Sequence, residues 1–129
     1  MISKPYWSIS DWSDQSKKDP KAAADLFFKN LGQMPDFQVG THISKTLSRK
    51  KLGEALAISS ENSNLPLAGV PYLLKDLYDV AGWETNASSL FLNRVRGTPR
   101  KSSALENSFA KAGGVFAGKT HLVEFAYGM

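Results

Sequence analysis

The sequence contains no cysteine, and no apolar segment approaches the roughly 20 residues that a helix needs to span a bilayer. The first absence excludes a disulfide framework and zinc sites with cysteine ligands. The N-terminus also lacks the long apolar core of a secretory signal peptide. We therefore expect a cytoplasmic protein without a membrane span.

Histidine and clustered charge are also scarce. The two histidines, His42 and His121, have no second ligand at a metal-binding spacing, so we expect no metal site and no cofactor. The net charge of +4 is modest, and the longest contiguous basic cluster, residues 49–51, is typical of a solvated helix face. The sequence therefore predicts no nucleic-acid partner.

The 129 residues are enough for one small domain, and a hydrophobic share of 42% argues against wholesale disorder. Residues 1–19 lack clean periodicity and predict a loosely ordered lead-in. Asp19 followed by Pro20 predicts the start of a helix that runs to about Leu31. An imperfect apolar stripe predicts a second helix over residues 41–60.

A continuous apolar run over residues 70–74 ends abruptly in a lysine, Lys75, which we expect to be partly buried. Such a run predicts a strand buried on both faces of a sheet covered by helices. Open α/β sheets place their ligands outside the carboxyl ends of the strands, so Lys75 is the first candidate for a functional residue. The next residue, Asp76, is expected to cap the backbone of the following loop.

The C-terminal third shows the clearest local signals. Ser103 and Glu106 fit a capping box that opens a helix, and two glycines end it. Residues 115–118 then predict a short buried strand, and Thr120 predicts the cap of a further helix over residues 121–127. Helix, glycine turn, strand and helix in this order indicate an α/β fold.

Two further patterns resemble sites but favour structural roles. Residues 113–120 match the spacing of a phosphate-binding loop, yet they follow a helix and read as a strand, so we reject that interpretation. Ser88 and Ser89 lack a glycine-rich elbow and are expected in a loop. We expect a short helical turn over residues 88–92 and an exposed loop over residues 93–101.

Three segments in register resemble the amidase signature family. Residues 66–76 are similar to its PLxGVPxxxKD segment, residues 80–89 to VxGxxTTxGS, and residues 105–128 to LxxAGAxxxGKTNxxEFAxG. The resemblance covers about residues 52–129. Five residues depart from the family pattern and bear on which subfamily the chain resembles: Asn86, Ser88, Ser102, Ser103 and His121. Lys75 is not among them.

The resemblance implies an α/β fold with a mixed β-sheet covered by α-helices, of which residues 1–129 form the N-terminal portion of a single amidase domain. It also implies a Ser-cisSer-Lys triad with Lys75 as the catalytic base. The family's two serines follow the segment that ends this chain at Met129. We therefore expect a carboxamide hydrolase, truncated and inactive alone, that acts on a small-molecule amide and forms a homodimer in the full-length protein.

Three alternatives stay open. The chain could come from the glutaminase subunit of a tRNA-dependent amidotransferase, which ends the matching segment in the same Glu-Phe-Ala-x-Gly motif. It could be a non-catalytic remnant. From the residues alone, Lys75 could also be a surface lysine that pairs with Asp76 or Asp79 at the end of a strand.

Overall fold

A computed structural model describes residues 7–33, 40–42, 45–62 and 64–128. The helices and strands, in chain order, are α1 (Ile9–Lys18), α2 (Pro20–Gln33), β1 (Gly40–His42), α3 (Lys45–Glu61), β2 (Pro71–Lys75), α4 (Leu92–Arg96), α5 (Ala104–Lys111) and β3 (Val115–Thr120). A 3-10 turn, Glu124–Ala126, follows β3. None of the helices within the described ranges combines the length and the apolar character needed to cross a bilayer.

The three strands form one mixed sheet in the order β1-β3-β2. Strand β3 runs antiparallel to β1 and parallel to β2. It is buried from Val115 to Lys119, whereas β2 is half-buried as far as Leu73 and fully buried only at Leu74. The predicted strand is present as β2, and its side chains pack on both faces, with Leu73 against one apolar cluster and Leu74 in the other. Its burial is less complete than that of β3.

Helices cover both faces of the sheet, which confirms the α/β class and the mixed sheet covered by helices. Successive side chains of β3 point to opposite faces. Val115 and Ala117 pack with Phe27 of α2 and Ala55 of α3. On the other face, Phe116 joins a second apolar cluster against which side chains of α5 pack.

The N-terminal segment differs from its prediction. Residues 9–18, expected in a loosely ordered lead-in, form helix α1. Its start is a capping box in which the Ser8 hydroxyl accepts from the Asp11 amide (3.1 Å) and the Asp11 carboxylate accepts from the Ser8 amide (2.8 Å). The signal was missed because an aspartate takes the place of the usual glutamate or glutamine. Residues 1–6 lie outside the described ranges.

The second helix begins as predicted, since an Asp19 carboxylate oxygen accepts from the Ala22 amide at 3.0 Å. The single helix expected over residues 41–60 is wrong in its first part. The described residues there form strand β1 and then helix α3. A strand of three residues is too short to show an alternating pattern, and only its pairing with β3 reveals it.

The structure also tests three predictions for the C-terminal half. Ser103 caps α5 as expected, through a 3.4 Å bond from the Glu106 amide, but the Glu106 carboxylate accepts from Lys51 instead of turning back. Residues 92–96, expected mostly in an exposed loop, form α4. The helix predicted over residues 121–127 is wrong, because Thr120 ends β3 and only a 3-10 turn follows.

Candidate functional site

Lys75 lies at the carboxyl end of β2, where it is in register with Thr120 of β3. Two backbone hydrogen bonds fix the chain at Lys75 and just after it. The Asp76 amide donates to the Thr120 carbonyl (3.0 Å), and the Leu77 amide donates to the Lys75 carbonyl (2.7 Å). The Lys75 side chain is exposed, so the expectation that it is partly buried is wrong for the described structure. The strand that carries it lies at the edge of the three-stranded sheet and ends there.

The two acids named in the alternative interpretation of Lys75 are paired elsewhere. The Asp76 carboxylate lies 3.4 Å from the Lys119 ammonium, and the Asp79 carboxylate accepts from Arg96 at 2.7 Å. Burial raises the pKa of Asp79, but its hydrogen bonds and its attraction to Arg96 outweigh that effect and leave the pKa below its ordinary value. Within the described ranges, neither carboxylate pairs with Lys75.

Lys119 is the most deeply buried cation of the described structure, with an exposed fraction of 0%. Its ammonium donates to the Thr85 hydroxyl at 2.6 Å and to the Glu84 carbonyl at 2.7 Å. Burial lowers the pKa of Lys119 below its ordinary value, and the Asp76 carboxylate offsets part of that shift. A lysine ammonium has three donors, which the hydroxyl, the carbonyl and the carboxylate can accept.

The sequence analysis assigned no role to Lys119, which falls in the rejected phosphate-loop match and in the segment that resembles the family. A signal was present, because the lysine continues an apolar strand at residues 115–117. Lysines are almost never fully buried unless they are paired. A charge in a strand predicted to be buried therefore implied a polar partner, although not which one.

Asp76 acts on loop backbone, as the sequence predicted. Its carboxylate accepts from the Asn86 amide at 3.3 Å, ten residues further along the chain, and its carbonyl accepts from the Ala87 amide at 2.8 Å. Asp76 is itself fully buried. One of its oxygens, Oδ2, has no hydrogen-bond partner within the described residues.

The loop held by Asp76 contains strained backbone. Ala87 and Ser88 have φ values of 49° and 56°, in the left-handed region that favours glycine. The Ser88 hydroxyl donates to the Leu122 carbonyl (2.6 Å), and the Phe125 amide donates to the Ala87 carbonyl (2.8 Å). The Ser89 hydroxyl accepts from the Phe91 amide (3.4 Å). These bonds confirm the loop roles expected of the two serines.

The other candidate sites contain fewer groups that could bind a metal or take part in catalysis. His121 is exposed, the side chain of His42 lies outside the description, and the described residues contain no group of three or more potential metal ligands. An open cavity of about 260 Å³ lies beside β2. The residues that line it are Trp12, Phe27, Asn30, Pro71, Tyr72, Leu73 and Ala117. Apart from the Tyr72 phenol, that lining has no ionisable group.

The segment that carries these residues is similar to known proteins. The family model described as Amidase matches residues 41–129, which include Lys75, Asp76 and Lys119. The A subunit of the glutamyl-tRNA(Gln) amidotransferase of Prochlorococcus marinus is 30% identical over 128 residues, covering 94% of this chain and 26% of that protein. An amidase of Pseudomonas putida is 47% identical over 64 residues, covering 49% of this chain and 13% of that protein.

A solved structure shares the fold. Allophanate hydrolase of Kluyveromyces lactis superposes with a TM-score of 0.77 at 29% identity, covering 100% of this chain and 21% of that one. The chain thus spans about a quarter or less of the length of the proteins compared here. The family model nevertheless matches well over half of the chain, and the matched segment contains β2, β3 and the residues that follow each of these strands. The chain therefore belongs to the Amidase family.

Proposed function

We propose that this chain supplies the general base of a carboxamide hydrolase of the Ser-cisSer-Lys type, and that Lys75 is this base. The observation that carries the proposal is the position of Lys75 in the fold. Its side chain is exposed at the carboxyl end of a parallel strand, while the two acids that follow it in the chain are paired with Lys119 and Arg96. Within the described ranges neither acid pairs with Lys75, so its amino group is accessible to a serine hydroxyl supplied by the rest of the protein.

The chemistry follows from the weakness of a serine nucleophile. A serine hydroxyl attacks an amide carbonyl only when a base removes its proton. Neutral Lys75 would take a proton from one serine, which in turn takes the proton of the nucleophilic serine. The new C–O bond forms, the C–N bond breaks, and the departing nitrogen receives the proton. Water then cleaves the acyl-enzyme and restores the serine.

The resemblance to the family implies that both serines follow the Glu-Phe-Ala-x-Gly motif of residues 124–128. We therefore propose that residues 1–129 do not turn over amides by themselves. A small carboxamide is the proposed substrate class, in a cytoplasmic enzyme that forms a homodimer at full length. No cofactor enters this mechanism.

A glutaminase subunit is the second candidate function. The similarity to the amidotransferase protein extends over 94% of the chain, whereas the similarity to the bacterial amidase extends over 49%. In the amidotransferase the amide would be glutamine, and the released ammonia would be transferred rather than lost. Comparing turnover of glutamine with turnover of simple primary amides separates the two candidates. A remnant without catalysis would act on neither.

Replacing Lys75 tests the base directly. The test uses the full-length protein, meaning the longest natural chain that contains these 129 residues. We expect Lys75→Ala to lower kcat/KM by about a hundredfold to ten-thousandfold, the range that general acid–base catalysis contributes. Lys101→Ala, which removes another exposed lysine, should change kcat/KM by less than twofold.

Two results would contradict the proposal. One is a Lys75→Ala enzyme that keeps at least a tenth of the parental kcat/KM. The other is serine-dependent hydrolysis by residues 1–129 alone, because that would place the nucleophile inside this segment.

A further inference from the structure

A lysine and an aspartate are buried together beside the candidate base. Lys119 and Asp76 are both 0% exposed, and their charged groups lie 3.4 Å apart. Removing two ions from water is costly, and a buried pair seldom stabilises a fold more than apolar residues of similar volume. Such a pair calls for an explanation beyond stability.

Both members of the pair hold the same short segment. The Lys119 ammonium binds the Glu84 carbonyl and the Thr85 hydroxyl, and the Asp76 carboxylate binds the Asn86 amide. Three consecutive residues, 84–86, are thereby hydrogen-bonded to two fully buried side chains. The segment runs directly into Ala87, whose positive φ needs external contacts to hold it.

The pair also holds the end of the strand that carries Lys75. Lys119 is in register with Leu74, and Asp76 follows Lys75 directly in the chain. Strand alternation puts Leu74 and Lys119 on one face and Lys75 on the other. The pair thus anchors the backbone at Lys75 from the opposite face and leaves the Lys75 side chain exposed.

We propose that Lys119 is a positioning residue, which acts with Asp76 to hold residues 84–87 and the Lys75 end of β2 in one arrangement. The catalytic part of this inference rests on the proposed function of Lys75. The mechanical part does not, because it concerns how the loop is held and can be measured without turnover. Lys119 has no role in proton transfer.

The test compares two double variants of the full-length protein that each remove a lysine–carboxylate pair. Asp76→Asn with Lys119→Met neutralises the pair without leaving a lone buried charge. The matched control is Lys51→Met with Glu106→Gln, which removes the 2.9 Å pair between α3 and α5. Both changes remove one positive and one negative charge, so the net charge stays constant.

Hydrogen exchange of individual amides reports on the segment. In the Asp76→Asn, Lys119→Met variant, the Asn86 and Ala87 amides should exchange at least tenfold faster, while the Val115 amide at the opposite end of β3 keeps its rate. The control should leave the Asn86 and Ala87 rates within twofold. Equal effects of both variants on these two amides would overturn the proposal, because the pair would then contribute only general stability.

Kinetics test the link to Lys75. The Asp76→Asn, Lys119→Met enzyme should lose at least tenfold in kcat with KM within threefold, and the control should keep its kcat. Faster exchange with unchanged kcat would overturn the positioning role. If Lys75→Ala leaves activity intact, the proposed function fails, while the exchange rates still decide whether the pair holds the segment. Should the double variant not fold, Thr85→Val removes one ligand of Lys119 and must raise the same two exchange rates.

Discussion

Replacing Tyr72 with phenylalanine should stabilise the protein. The Tyr72 ring packs edge-on against Phe109, with ring centroids 5.0 Å apart, and more obliquely against Phe116 at 5.8 Å. Its hydroxyl is buried and has no hydrogen-bond partner among the described residues. A buried hydroxyl without a partner costs about 1–3 kcal/mol, and phenylalanine keeps the ring contacts while removing that group. We therefore expect Tyr72→Phe to raise the free energy of unfolding by about 1 kcal/mol.

Tyr72 should also make the free energy of unfolding depend on pH. Burial, and to a lesser extent the Glu106 carboxylate, raise the pKa of Tyr72 above its ordinary value of 10.0. The folded state therefore keeps this proton at a pH where the unfolded chain releases it. The free energy of unfolding is therefore unaffected by this group below about pH 10, where Tyr ionises in the unfolded chain, and it falls as pH rises from there toward the folded pKa. Tyr72→Phe should remove this alkaline loss.

Urea denaturation of the full-length protein at pH 7 and pH 11 measures both effects. Tyr78→Phe is the control, since Tyr78 packs against the same apolar cluster. The reasoning would be refuted if Tyr72→Phe lowered the free energy of unfolding at pH 7 by 1 kcal/mol or more. That result would mean that the hydroxyl makes a hydrogen bond, for example to a water in the cavity of about 40 Å³ that Tyr72 and Glu106 line.

Three further predictions concern the loop, the helix pair and the isolated chain. Because Ser88 has a φ of 56°, Ser88→Gly should be about 1 kcal/mol more stable than Ser88→Ala in urea denaturation, and equal values would contradict the left-handed geometry. Lys51→Met alone leaves the buried Glu106 carboxylate without this partner and should lower the free energy of unfolding by about 3 kcal/mol, an effect that adding Glu106→Gln should largely reverse. Residues 1–129 alone should fold poorly, because edge strand β2 is unpaired on one side in the described structure and Leu90 is 92% exposed; a cooperative thermal transition by circular dichroism would contradict this.

Local signals in the sequence account for the features that the structure confirms. The Asp19–Pro20 start of α2 and the Ser103 cap of α5 depend on groups within three residues of each other. The apolar run before Lys75 indicated a strand that the structure shows as β2. The family resemblance depended only on the order and spacing of motifs, which are properties of the chain itself.

Tertiary structure decided which strand is central and which charge is buried. The same kind of apolar run precedes Lys75 and Lys119, yet the first lysine is exposed and the second is fully buried. The difference is that β3 has strands on both edges, while β2 has one. The Thr85 and Glu84 partners of Lys119 lie 34 and 35 residues earlier in the chain, beyond the reach of any local pattern, and Asp76 lies further away still. Sequence alone thus identified Lys75 as the candidate base, and only the packing of the chain identified the buried pair that holds its strand.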